Sequence, residues 1–477
     1  MKEFLKKHKW QILLCIYAII LVIPHFLRIF DNYFWGDEAY TILLAKMNVF
    51  DMFRETAADV HPPLYYILVK LFCTVFGFKG WAYHLVSFLA YLGVIAISVT
   101  YIERKFGFIT SFLLISCASL LPNTFTYNVE VRMYSFGALF VLTSFLFLQR
   151  ILEEHKTKDY IFFTAACVAA AYTHYYCLVI ISFFYLFLIV YSIIKRKEYG
   201  LKTLISSVAA IVCYLPWFFV LFTTFKRTSD DFWMMWIPTL RECFEYIFAG
   251  KLSLVLFGIL LASAVLFVIG NLIFIKKGPR ENTKSETNDI FWVAAGFLAI
   301  FGTMFIGIMV SRIVRPLFIT RYLYPVCVIA WFLLGYFISN AKIKGRSILA
   351  ALVLVVIVIS SYSGSLEIIR KDMLENELLK ATLSVTSDMQ DTDRILTNHQ
   401  NMDWTLSDYY YPGVSHELVT PEDFPELEEN TVYWLIISPE SADEFKEIVL
   451  SRGFSAECRI NNGIIGTSYV DIYKISK

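Results

Sequence analysis

Eleven apolar stretches of roughly bilayer-spanning length run through the first three quarters of this chain, at 10–29, 81–101, 107–122, 132–149, 160–173, 175–194, 203–223, 252–275, 290–311, 317–339 and 347–363. In hydrocarbon no water is available to satisfy backbone N–H and C=O groups, so a stretch of this kind folds as a helix that crosses the ~30 Å apolar layer. The composition points the same way, since 57% hydrophobic and only 17% charged residues are more apolar surface than a water-soluble fold can bury. The spacing therefore predicts a polytopic α-helical membrane protein of about eleven transmembrane helices. A net charge of +1 offers no electrostatic case for binding nucleic acid.

Basic residues fix the expected orientation. Lys2 to Lys9, Arg104-Lys105, Arg150 with Lys156 and Lys158, Lys195-Arg196-Lys197, Lys276-Lys277 with Arg280, and Lys342, Lys344 and Arg346 fall at every second loop. Cytoplasmic loops carry such excess Lys and Arg, so the N-terminus is expected inside and everything after Gly364 outside. The first apolar run follows lysines as a signal peptide would. It lacks a small-residue cleavage site, however, and reads as an uncleaved first span.

Two domains follow: a transmembrane domain over 1–364, whose first external loop (31–80) carries interfacial helices, and an external soluble α/β domain over 365–477. In the latter, strand-like runs at 394–397, 432–437 and 464–475 accompany a helix at 442–451. The nine cysteines show no CxxC pair and mostly fall inside apolar runs, which makes them packing residues rather than a disulfide frame. Neither a metal-ligand spacing nor a Gly-rich phosphate loop is present, so no metal and no cofactor is expected.

The unusual polar residues gather on the expected external face. Trp35-Gly36-Asp37-Glu38 follows the first span, and the helical spacing of Leu43, Met47, Phe50 and Phe53 reads as one helix along the membrane surface with both acids at its N-terminus. There the helix dipole favours an ionised carboxylate, which suits a general base, although capping of the helix by Asp37 explains the acid equally well. His61-Pro62-Pro63-Leu64-Tyr65-Tyr66 closes the loop, its prolines fixing the start of the next helix and its tyrosines suited to the interface. Glu130-Val131-Arg132-Met133-Tyr134-Ser135 lies where the next external loop meets a span. An exposed ion pair contributes only about 0–1 kcal/mol, so stability alone is a weak reason to place Glu130 and Arg132 at a lipid boundary. Arg321-Tyr322-Leu323-Tyr324-Pro325 sits one turn inside a late span, where a guanidinium snorkels to lipid or grips a substrate phosphate. A transporter would instead hold its ionisable groups near the bilayer centre on broken helices.

Taken together, the DE pair, HPPLYY, EVRMYS and RYLYP resemble the GT-C membrane glycosyltransferases, in the branch of the dolichyl-phosphate-mannose protein mannosyltransferases and the lipid A aminoarabinose transferase. The resemblance covers about residues 10–340. It implies a GT-C fold and transfer of a sugar from a polyprenyl-phosphate donor to a glycan, lipid or protein acceptor at the outer face of the membrane. Asp37 is then the base and Glu38 positions acceptor or sugar. His61, Arg132 and Arg321 are candidate phosphate contacts, and Tyr65, Glu130 and Tyr322 complete the expected substrate site. In the aminoarabinose transferases a lysine occupies the place of His61. Two other readings stand beside this one: a polyprenyl-lipid or glycolipid transporter, and a catalytically idle glycan-binding membrane protein.

Overall fold

The structure, a computed structural model, describes all residues except 1–7, 32, 196–197, 231–235, 278–281, 342–344, 400–404 and 467. Of the basic positions used to orient the chain, Lys2, Lys6, Lys7, Arg196, Lys197, Arg280, Lys342 and Lys344 lie outside the described residues. By internal contacts the chain falls into two units. One comprises the residues up to Ile29, Val49–Gly77 and Ala82–Leu366, and the other Phe30–Asn48, Phe78–Trp81 and Glu367–Lys477.

The first unit is helical. Among the described residues nine helices are long and apolar enough to cross a membrane: Lys9–Arg28, Gly80–Phe106, Tyr134–Glu154, Tyr175–Ile194, Gly200–Lys226, Ser253–Gly270, Asp289–Ile313, Thr320–Asn340 and Arg346–Val385. Each coincides with a predicted span. The remaining two predicted spans form shorter apolar helices, Phe108–Leu120 with 13 residues and Thr157–Ala171 with 15. At 1.5 Å rise per residue these reach only about 20 Å, because Pro122 opens a new turn after the first and Lys156 immediately precedes the second. The last helix runs without interruption through Gly364 and Ser365, where the composition turns polar.

Tyr324–Asn340 is the buried centre of this unit, with every residue from Tyr324 to Ile338 inside. Its first turn is fixed by Pro325, which has no N–H to lose there. Gly137, in the Tyr134–Glu154 helix, lets that helix approach closely. A Cβ at Gly137 would stand 2.9 Å from Pro325 Cγ and 3.0 Å from Cys177 Sγ.

The second unit is built on a five-stranded mixed sheet, β1 (Arg394–Thr397), β2 (Ser415–Leu418), β3 (Tyr433–Ile437), β4 (Ser455–Ile465) and β5 (Ser468–Ser476), in the order β2-β1-β3-β5-β4. Strand β1 pairs in parallel with β2 and β3, whereas β5 is antiparallel to β3 and β4. Successive residues of β3 serve opposite faces, as the period of two requires. Tyr433, Leu435 and Ile437 join a core with Phe445 and Val449 of the Ala442–Ser451 helix. Trp434 and Ile436 join another core with Ile472, Leu406 and Ala39. Ala39 belongs to the acid motif, so the second face of this sheet is covered by the helix that carries Asp37 and Glu38.

That helix is shorter than expected. The single surface helix predicted after Trp35 is two, Gly36–Lys46 and Val49–Ala58, because Met47 leaves helical geometry at ψ 160°. Asn48 then precedes the second helix, a residue type suited to a helix start.

Candidate active site

Two prolines set the first part of the site. Pro62 and Pro63 precede the Leu64–Phe76 helix, and the Leu64 N–H donates to Tyr172 O at 3.0 Å, tying this helix start to the end of Thr157–Ala171. His61 and His174 are thereby set side by side, with ring centroids 5.6 Å apart. His61 Nδ1 lies 3.3 Å from Asp59 Oδ2, and Arg132 Nη2 lies 3.4 Å from His61 Nε2. A guanidinium can only donate, so Nε2 accepts and Nδ1 carries the proton that goes to Asp59. Tyr66 O–H also donates to Asp59 Oδ2, at 3.4 Å. Burial pushes the Asp59 carboxyl up, but the His61 hydrogen bond and charge, the Val60 N–H and Arg132 outweigh it and leave the group below its ordinary range.

Arg132 is only 2% exposed, and its backbone is held from several sides. Tyr65 O–H meets Ser87 Oγ at 2.6 Å, and that hydroxyl donates to Arg132 O at 3.2 Å. Asn128 donates to Ala118 O at 3.0 Å and accepts from Tyr324 O–H at 2.9 Å, which anchors the same turn to the central helix. Tyr65 therefore supports Arg132 from within the core. Glu130 is buried in this turn, and after burial itself the Glu130 charge is the next influence pushing the neighbouring Tyr127 hydroxyl up.

Arg321 and Tyr322 stand on a 3-10 turn, Thr320–Leu323, just ahead of the α-helix rather than one turn inside it. Helical geometry begins at Tyr324 because Pro325 tolerates only the first turn. This pair of neighbours faces two different cavities. Tyr322 lines an apolar one of about 240 Å³ with Val60, His61, His174, Tyr176 and Leu221. Arg321 lines a polar one of about 790 Å³ with Tyr127, Thr320, Glu242, Glu245 and Lys251. The Arg321 guanidinium sits 6.0 Å above the Tyr322 ring, and that ring is 4.9 Å from His174. An amphiphile with an apolar tail and a charged, hydrogen-bonding head matches such a pair of cavities. No group of three or more His, Cys, Asp or Glu suited to a metal occurs among the described residues.

The acid pair lies in the other unit. Trp35 is the N-cap of the Gly36–Lys46 helix, and its N–H donates to Glu38 Oε2 at 3.3 Å. Capping thus falls to Glu38, which is buried, and not to Asp37, which is half-exposed in the same first turn. Tyr410 holds the lead-in segment, accepting from Phe34 N–H at 3.1 Å and donating to Phe34 O at 3.0 Å. Tyr409 packs edge-on to Phe34 at 5.4 Å and lies under Lys46 at 5.6 Å.

Residues 60–221 match the sequence model of the dolichyl-phosphate-mannose-protein mannosyltransferase family. The fold is similar to that of ArnT from Cupriavidus metallidurans in the apo state, with a TM-score of 0.59 and 13% identity over 98% of both chains. A second structure of that protein, bound to undecaprenyl phosphate, matches with a TM-score of 0.57 and 13% identity, again over 98% of both. The archaeal oligosaccharyltransferase AglB from Archaeoglobus fulgidus, solved with an inhibitory peptide and a dolichol-phosphate, matches with a TM-score of 0.52 and 10% identity over 94% of this chain and 71% of its own. The chain has the GT-C type of membrane fold that these structures share. No curated protein matches it by sequence.

In this fold the structure brings His61, Arg132 and Tyr322 together with the Arg321 turn, and it places Tyr65 behind Arg132. The sequence gives Tyr66 only an interfacial place and Tyr134 only a place in its motif, and it assigns no site role to Asp59 or His174. Asp59 and Tyr66 flank the HPP motif and could have been found from it. His174 carries a fainter signal, a lone imidazole in the short connection between two apolar runs.

Proposed function

We propose that this protein is a membrane glycosyltransferase that moves a sugar from a polyprenyl-phosphate-linked donor to an acceptor hydroxyl at the outer face of the membrane. The observation that carries the reading is the pair of neighbours Arg321-Tyr322, one lining a polar and the other an apolar cavity, with the buried Arg132 against His61 of the apolar one. The apolar cavity takes the first isoprene units and the arginines take the phosphate. The lipid phosphates bound by two proteins of similar fold support this choice of donor. Asp37 is the proposed base, and Glu38 and Glu130 shape the surroundings of sugar and acceptor.

The acceptor oxygen bonds to the anomeric carbon as that carbon's bond to the phosphate oxygen breaks. The bonding pair leaves on the phosphate, and the acceptor proton passes to Asp37. A phosphate is a stable leaving anion, so cations serve it better than a general acid would. One such displacement inverts the anomeric centre. In this scheme His61 presents Arg132, since both of its ring nitrogens are engaged by Asp59 and Arg132.

Purified protein incubated with labelled polyprenyl-phosphate sugars and an envelope extract as acceptor source tests the reading. Release of free polyprenyl phosphate together with labelled glycan is the expected result. Movement of intact donor across a vesicle membrane without cleavage would overturn it in favour of a transporter.

A further inference from the structure

Two buried donors that feel the charges of both Arg132 and Arg321 meet no acceptor among the described residues. His174 is 3% exposed and Tyr134 is 1% exposed, and their rings lie 5.8 Å apart. His174 Nδ1 accepts the Tyr176 N–H at 3.1 Å, which puts the ring proton on Nε2. Among the described residues neither His174 Nε2 nor the Tyr134 hydroxyl has a hydrogen-bond partner. Native proteins rarely bury a donor in this way unless something else accepts from it, and here two stand together. His174 lines the apolar cavity with its ring 5.6 Å from that of His61 and 4.9 Å from that of Tyr322.

We propose that His174 Nε2–H and Tyr134 O–H are a pair of neutral donors to the phosphate oxygens of the lipid-linked substrate, completing a cradle whose charged members are Arg132 and Arg321. This assignment rests on the polyprenyl-phosphate reading and adds two binding residues to it. The chemistry suits the reaction, because negative charge grows on the phosphate as its bond to the sugar breaks, and donors aimed there act most strongly at that moment. His174 supplies a hydrogen bond without adding a third cation. Burial first, and then the charges of His61, Arg132 and Arg321, push its imidazole well below the ordinary histidine range. With Nδ1 occupied by the backbone, the ring has a single orientation in which to donate.

The test is a binding titration of the full chain in lipid nanodiscs with undecaprenyl phosphate, and in parallel with undecaprenol, which has the same tail and no phosphate. His174→Phe keeps a ring and loses the N–H, His174→Gln keeps an N–H donor, and Tyr134→Phe removes one oxygen. The expected result is about 10- to 100-fold weaker undecaprenyl phosphate binding for His174→Phe and Tyr134→Phe, with partial recovery in His174→Gln and undecaprenol binding unchanged throughout. Unchanged phosphate binding in both Phe variants, or equal loss of both lipids, would overturn the assignment. If the unmodified protein itself fails to prefer undecaprenyl phosphate over undecaprenol, the polyprenyl-phosphate reading fails instead. Tyr134→Phe, smallest in shape change, guards against misfolding of the histidine variants.

Discussion

Arg132 Nη2 reaches His61 Nε2 at 3.4 Å across 71 positions of sequence, and the same imidazole is held from its other side by Asp59 at 3.3 Å. The carboxylate fixes the tautomer, the tautomer leaves Nε2 free to accept, and the acceptor orients the guanidinium. Asp59→Asn breaks the first step, because an amide can present a donor to Nδ1 and let the ring turn over. Donor affinity should fall roughly five- to tenfold, about the worth of one buried hydrogen bond, with little change in saturated turnover. The acid dependence of stability has a definite sign. The Asp59 carboxyl titrates lower folded than unfolded, so its contribution is present above the unfolded value near 4 and fades as pH falls through the lower folded one. Thermal unfolding in detergent should therefore show wild type and Asp59→Asn converging below about pH 4.

The arginines make a second test. Arg321→Ala and Arg132→Ala each remove a charge-assisted contact worth about 1.5–3 kcal/mol, which is roughly 10- to 150-fold in donor affinity. Arg321 is half-exposed on its 3-10 turn, so its loss should spare folding, whereas the buried Arg132 will also lower thermal stability. Turnover measured against donor concentration separates the two effects. Normal kinetics in both variants would make these side chains lipid anchors.

A third prediction concerns sidedness. The alternation of basic loops predicts an external C-terminus, so a reporter fused after Lys477 should be external and one near Asn282 cytoplasmic. An internal C-terminus would move the proposed acid pair to the wrong face of the membrane for an external acceptor.

What could be read from the sequence follows from what each signal reports. Long apolar runs gave the helices, and the short continuous apolar run Tyr433–Ile437 gave a buried strand, because both depend only on near neighbours. The strand Ser415–Leu418 escaped because it is a short, exposed edge strand with polar His416 and Glu417 and no buried stripe. The bond between Phe34 and Tyr410 spans 376 positions, and nothing local in either segment announces it. His61 is a candidate site residue from its motif, but its contacts with Asp59 and Arg132 depend on which atoms face each ring nitrogen. Spacing cannot supply that.

The Phe34 contact yields a fourth prediction. The acid helix covers one face of the sheet through Ala39, and Tyr410 accepts from and donates to the backbone two residues before its first turn. Tyr410→Phe leaves the ring and removes both hydrogen bonds, so the segment before Asp37 loses its tether while the cavities of the helical unit keep their lining. Turnover should fall about tenfold or more with donor affinity unchanged, and hydrogen exchange should rise at Phe34 and Trp35. A fall in donor affinity without an exchange change would mean the tyrosine acts elsewhere.

The mechanism turns on Asp37→Asn, which should abolish transfer while leaving a folded protein that binds undecaprenyl phosphate. Asparagine keeps the shape and loses the charge and the ability to take a proton, and a general base contributes about 100- to 10,000-fold to rate. The geometry sharpens this test, because the helix cap belongs to Glu38 and the Trp35 N–H. A loss of activity in Asp37→Asn therefore is not the loss of a cap. Glu38→Gln retains an oxygen that accepts from Trp35 N–H, so it should be milder in both stability and rate. Replacing Glu38 by Ala, by contrast, removes the cap and should cost about 1 kcal/mol of stability along with activity. The reverse ranking, with Glu38→Gln dead and Asp37→Asn active, would move the base one residue along the first turn. Near-normal turnover in both single variants would remove the acid pair from the chemistry, since neither carboxylate would then be needed to take the proton.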